Sequence, residues 1–321
     1  MQRVAGCLSM STFVIGGFWA LLRERLGLQP YVMFIGVAAS LALLLMTPRT
    51  MRTFRARYPD EVAGAYSFVT NLHYLYLSGV TEIIARTFTT CALALVALRV
   101  GLRVEPSLLS GFGPVSDQPR WLIVIEMLVV NDFLFYWTHR MAHAVPLLWK
   151  LHAVHHSTEH MSFTAAARVH PLESYAVVFH MLPLFALGFP VDALLELGPI
   201  NIGYAMLIHS NLQFKPGRWG YLLNSPAYHR WHHARKYRGN GTNYAGYFPI
   251  FDVLFGTYDF PEGAPDDIGI DDVSMPKTYL GQLVYPFVTA PRRQATDVSS
   301  RAPLATLVDS SESTGSTLLG E

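Results

Sequence analysis

Residues 121–143 read WLIVIEMLVVNDFLFYWTHRMAH, and this stretch decides the fold. From Trp121 to Thr138 only Glu126 and Asp132 are charged. Eighteen helical residues at about 1.5 Å each approach the roughly 30 Å hydrocarbon core of a bilayer. Within the same stretch Asp132, Tyr136, His139 and His143 follow one another at spacings of 4, 3 and 4, which places them on one stripe of a helix. A single segment thus reads as a membrane helix with one polar, titratable face.

The chain around it has the same character. Of its 321 residues 51% are hydrophobic and 15% are charged, against roughly 25% charged in an average soluble domain. Mean hydropathy is +0.26. The net charge of +1 excludes a basic nucleic-acid-binding face, and two cysteines, Cys7 and Cys91, exclude a disulfide framework or a cysteine metal motif. Gln29 and Pro48 enclose 18 uncharged residues, and further uncharged runs occupy 62–81, 87–98, 174–191 and 197–214. So many runs in one chain predict a polytopic, all-α membrane protein with four to six transmembrane helices.

Arg49, Arg52, Arg55 and Arg57 follow the first strong run, and Lys215, Arg218, Arg230, Arg235, Lys236 and Arg238 follow the last. The positive-inside rule places both groups in the cytoplasm. Arg140, Lys150 and Arg168 place 139–170 on the same side, which leaves a single crossing within 62–100. Residues 4–22 read as a short span, a signal peptide or an interfacial helix. The expected organisation is an N-terminal membrane segment with a basic loop (1–64), a membrane catalytic domain (65–261) and a polar, disordered C-terminal tail (262–321).

Histidine is the anomaly: 13 in a chain short of polar groups. Eight fall into His139/His143, His152/His155/His156 and His229/His232/His233. At helical spacing each cluster directs two or three imidazoles one way. Imidazole suits iron, zinc and copper, and eight exceed one tetrahedral zinc site. Two ions with five or six ligands each would use them all. Asp132, Glu159, Glu173 and Asp252 are candidate carboxylates near the metals, with Asp132 expected to orient a ligand imidazole through its second N–H. His73 and His180 read as packing residues and His160 as exposed.

NDFLFYWTHRMAH (131–143), LWKLHAVHHS (148–157), RVHPLE (168–173), IHSN (208–211), SPAYHRWHH (225–233) and NYAGYFPIFDVLFGTY (243–258) occur in this order. Together they resemble the fatty acid hydroxylase / sterol desaturase superfamily, over about residues 121–259. The resemblance implies a cytoplasmic helical cap holding two iron ions, which zinc can replace in isolated protein. It implies His139, His143, His152, His155, His156, His229, His232 and His233 as ligands, His209 as a ninth, and His170 as a ligand or shell residue. Gln213 stands where some relatives carry a further histidine. It also implies O2 as co-substrate, a lipid entering from the bilayer, and electrons from a separate cytochrome b5-like or ferredoxin-like protein. Arg140, Arg230 and Lys236 could meet a lipid head group or that donor.

The implied activity is hydroxylation of a lipid C–H bond, with desaturation on the same site as the alternative. The HExxH of a zinc hydrolase is absent from the sequence. A metal transporter would place ligands midway through the spans rather than at their ends.

Overall fold

The computed structural model describes residues 59–78, 110–212, 216–235 and 241–289, with the single positions 80, 99 and 214. The expected spans at 4–22 and 29–48, most of 81–100, Gln213, Lys236 and the tail beyond 289 lie outside the described residues. In chain order the main helices are α1 (Pro59–His73), α2 (Arg120–Ala144), α3 (Pro146–His156), α4 (Val177–Ala186), α5 (Val191–Ile208), α6 (Pro226–His232), α7 (Ile250–Leu254) and α8 (Tyr279–Val288). Among the described residues no strand forms beyond an isolated bridge between Ala234 and Ile268.

Helix α2 is the axis. It runs 25 residues, and its two faces differ sharply. Trp121, Ile125, Val129, Phe133, Trp137 and Met141, each four residues after the last, are exposed. Ile123, Met127, Asn131, Asp132, Tyr136, His139 and His143 are buried. A water-soluble helix would show the reverse, with charges on the outer face. Among the described residues α2 is the helix long and apolar enough to cross a membrane.

Two hydrophobic clusters pack along this axis. Ile123 and Met127 meet Leu184, Phe189, Ala193 and Leu197, which docks α4 and α5 against the first half of α2. Trp149, Ala153 and Val154 of α3 meet Tyr74, Tyr279 and Tyr285. The turn between α2 and α3 follows from one proline. Pro146 opens α3 and pushes Val145 to φ −95°, ψ 116°. The chain leaves the helical track there, and α3 folds back along the end of α2.

Two expectations change. The run 174–191 does not form one span. Glu173–Ala176 is a 3-10 turn, and α4 holds ten residues with Pro183 inside. At about 1.5 Å per residue α4 covers roughly half of a hydrocarbon core. The tail from 262 is not wholly unstructured either. Arg235 bonds the carbonyls of Ile268 and Ile270, and α8 lays Tyr279 and Tyr285 against α3. The missed signal is the spacing of buried Tyr279, Gln282 and Tyr285 every third residue within YLGQLVYPFV.

If the outer stripe of α2 lies in lipid, a charge at its middle is costly, about 2.5–3.5 kcal/mol at the bilayer centre. Val129→Lys is expected to reduce sharply the share of protein recovered in membranes. Recovery equal to wild type would place the stripe in water.

Candidate metal centre

The nine candidate imidazoles come together, and all are buried, none more than 7% exposed. They form two groups. His139, His143, His152, His156 and His232 have ligand atoms within 4.8 Å of one another, as do His155, His209, His229 and His233. The groups adjoin, because the His156 and His233 rings stack with centroids 4.4 Å apart.

The division cuts across the sequence clusters. On α3, His152 and His156 (i, i+4) serve the first group while His155 turns to the second. At α6 the pattern is mirrored: His229 and His233 (i, i+4) serve the second group and His232 the first. The expectation that each cluster aims all its imidazoles one way is therefore corrected. Residues i and i+4 share a helix face, but i+3 lies on the other side of the ridge. Two helices meeting over the end of α2 can then each feed both groups.

Local sequence explains the placement. Ser225 caps α6 by accepting a hydrogen bond from the Tyr228 amide at 3.2 Å, and Pro226 occupies its first turn. That fixes the start of a seven-residue helix carrying His229 and His232, with His233 as its C-cap. His209 stands just past the end of α5, with its Nδ1 2.7 Å from the Ala205 carbonyl.

Five rings are oriented by what holds their Nδ1. His139 donates to the Tyr244 carbonyl at 2.7 Å, His155 to the Arg168 carbonyl at 3.1 Å and His232 to the Thr242 carbonyl at 2.8 Å. His209 donates to the Ala205 carbonyl, and His152 donates to the Glu173 carboxylate at 2.5 Å. A carbonyl oxygen can only accept, so each proton sits on Nδ1 and each Nε2 lone pair points inward. Burial, with the neighbouring imidazoles, holds His155, His156, His229 and His233 well below the usual histidine range, and burial takes His232 down to about 3. Those five rings are therefore held in the neutral form, which is the form that binds a metal.

The donor set passes a geometric test. The contacts between Nε2 atoms are His139–His152 3.0 Å, His152–His156 3.2 Å, His155–His209 3.1 Å, His209–His229 3.0 Å and His229–His233 3.1 Å. With nitrogens about 2.1 Å from an ion, such separations subtend roughly 90–100°, whereas tetrahedral ligands would stand about 3.4 Å apart. The spacing suits five- or six-coordinate ions. His232 Nε2 is buried with no hydrogen-bond partner, as a nitrogen reserved for a metal would be.

Other candidates fall outside the two groups. His170 is buried, but its Nε2 donates to the Leu283 carbonyl at 3.1 Å and its Nδ1 accepts the Leu172 amide at 3.2 Å. Both nitrogens are occupied, Nε2 in holding α8 and Nδ1 in a local turn. Asp132 does not reach an imidazole; it accepts backbone amides at Gly246, Tyr247 and Phe248. Asp252 accepts those of Tyr244 and Ala245. Glu159 meets Arg235 and Lys277 near the surface. Glu173 is the carboxylate that touches a ring. His180 bonds Thr138 at 2.8 Å, His73 stacks on Tyr279 and His160 is exposed, as expected of non-ligands. Arg140 and Arg230 are engaged internally, with Tyr136 and Asn211.

Comparison with known proteins places these residues in context. Residues 124–257 match the family model described as fatty acid hydroxylase. The chain is 30% identical over 226 residues to the ornithine lipid hydroxylase OlsE of Rhizobium tropici, covering 69% of this chain and 66% of that protein. It is 37% identical to human alkylglycerol monooxygenase over 40% of this chain and 28% of that protein. It is 28% identical to the very-long-chain aldehyde decarbonylase GL1-11 of Oryza sativa subsp. indica, over 52% of this chain and 68% of that protein. The chain thus spans just under two thirds of the first relative and under a third of the second. No solved structure matches.

The Glu173–His152 pair gives a direct test. A carboxylate on the outer nitrogen raises ligand basicity, and its loss typically costs 10–100-fold in metal affinity. Glu173→Gln is expected to weaken metal binding by that order in a chelator competition, with the protein still folded. Unchanged affinity would show that the pair has no influence on the metal.

Proposed function

The chain belongs to the fatty acid hydroxylase family, and on that premise we propose that it is a membrane di-iron oxygenase that hydroxylates a C–H bond of a lipid. The observation that carries this reading is the convergence of nine buried imidazoles into two adjoining groups inside the family-matched segment. Relatives named as a lipid hydroxylase and as a monooxygenase favour hydroxylation over desaturation.

His139, His143, His152, His156 and His232 hold one iron ion, and His155, His209, His229 and His233 hold the other. Bound there, the iron pair supplies the reduction of O2 and the removal of a hydrogen atom from an unactivated carbon, chemistry beyond any side chain. The balance is one C–H bond, O2, two electrons and two protons giving C–OH and water. A separate cytochrome b5-like or ferredoxin-like donor provides the electrons.

The protein's own residues position the reaction. The exposed stripe of α2 faces the acyl chains, and His139 and His143 stand in its last turns. A carbon of a fatty acyl chain, a sterol or a related lipid can then approach from the bilayer toward the first group. Burial of every imidazole keeps bulk water from the metals. Glu173 and the carbonyls of Arg168, Ala205, Thr242 and Tyr244 keep five lone pairs aimed inward. The basic residues following α2 and α5 support a site facing the cytoplasm.

Lipid mass spectrometry of cells with and without the chain tests the proposal, the expected change being a gain of one oxygen in a membrane lipid. A loss of two hydrogens instead would favour desaturation. His155→Ala and His232→Ala, one from each group, are each expected to lose bound metal and abolish the product. Full lipid oxidation by either variant would sink the assignment.

A further inference from the structure

Five successive backbone amides, 244 through 248, are captured by two buried carboxylates. Asp252 takes Tyr244 at 2.7 Å on Oδ1 and Ala245 at 2.9 Å on Oδ2. Asp132 takes Gly246 and Tyr247 on Oδ1, both at 2.9 Å, and Phe248 on Oδ2 at 2.7 Å. Both carboxylates are inaccessible to solvent. Amide donors are the compensation that lets a carboxylate stay buried. The approach is close: a Cβ added at Gly246 would lie 2.8 Å from Asp132 Oδ1 and 3.2 Å from the Phe135 ring.

Two carbonyls at the start of this stretch, those of Thr242 and Tyr244, turn to the site. Tyr244 O receives His139 Nδ1 and Thr242 O receives His232 Nδ1. Both of these rings belong to the five-histidine group. Neighbouring Asn243 adopts φ 63°, a left-handed conformation, and is held by paired side-chain bonds with the Asp259 backbone at 2.6 and 2.8 Å. Two rings of the four-histidine group, His155 and His209, are oriented from elsewhere. His155 uses the Arg168 carbonyl, and the Arg168 guanidinium is tied to Ser67 and Asn71 of α1. His209 uses Ala205, in the last turn of the helix it caps. The segment does reach the chain before α6, through Asn224 to the Ala245 and Gly246 carbonyls, but α6 carries its own Ser225 cap.

We propose that Asp132 and Asp252 are positioning residues for the five-histidine centre, acting through the 242–248 segment to hold His139 and His232 in their metal-binding orientation. The two centres share α3 and α6 but take ring orientation from different acceptors, so loss of the 242–248 acceptors is expected to empty the five-histidine centre first. This rests on the di-metal reading above.

The test uses the iron-loaded, detergent-purified full chain. Asp252→Asn keeps the side chain's shape but turns one accepting oxygen into a donor facing an amide. Iron is expected to fall from two ions per chain to one, and the Mössbauer spectrum to change from a coupled pair to an isolated ion. Adding His209→Ala should remove the remaining ion, whereas adding His139→Ala should leave it in place. Gly246→Ala, whose Cβ would press on Asp132 Oδ1 and so displace the segment without changing a ligand, should give the same single ion and stands in if Asp252→Asn does not fold. Two ions with the wild-type spectrum, or joint loss of both ions from a monodisperse, helical protein, would overturn the inference. A wild type that holds two ions yet oxidises no lipid would refute the oxygenase reading and leave this inference standing.

Discussion

Every imidazole has two nitrogens, and a buried ring that offers one to a metal must place the other somewhere. Nine rings packed around two points multiply that demand. Much of the cap can be understood as an answer to it. The carbonyls of Arg168, Ala205, Thr242 and Tyr244 and the carboxylate of Glu173 receive five Nδ1 protons. Each acceptor belongs to a backbone or helix that must itself be held still. The constraint therefore spreads outward, from ring to carbonyl to whatever fixes that carbonyl.

The two kinds of outer partner differ electrically. Glu173 brings a negative charge to His152, while the other four acceptors are neutral. Buried Asp132 and Asp252 contribute through geometry, because their charge is taken up by backbone amides. The lining of the site thus separates charge compensation from positioning. A carboxylate aimed straight at a ring alters that ligand's basicity. Two that hold five amides between them fix the segment whose carbonyls orient two rings.

Legibility followed the length scale of each feature. Eight of the nine rings were visible from His139, His143 and the two HxxHH clusters, because i, i+3 and i+4 spacing is a local property of helices, whereas His209, which has no neighbour at such spacing, came only from the family resemblance. The role of Asp132 was not visible. Its place on the His139 stripe suggested contact with a ring, but its partners lie more than a hundred residues away in the chain. Spacing along a helix says which side a residue faces and nothing about what folds against that side. His170 shows the same gap: a histidine beside the cluster has both nitrogens occupied by Leu172 and Leu283. The helix at 279–288 was hidden by the acidic and Ser/Thr-rich stretches around it, whose composition outweighed a short amphipathic pattern.

Taken by itself, the amino-acid sequence determined that α2 is apolar with one polar stripe, that histidines recur at ligand spacing, and that the motifs belong to one family. These depend on residue type and separation alone. Only the tertiary structure decided that the nine rings divide five and four, and that each HxxHH feeds both groups. It alone turned two carboxylates away from the rings and onto the amides of 244–248. The reason is physical: helical periodicity fixes directions within one element, whereas a binding group is a point where directions from several elements intersect. That intersection depends on the break at Pro146, the Ser225 cap and the packing of α3 and α6 over the end of α2, none of which is a repeating pattern.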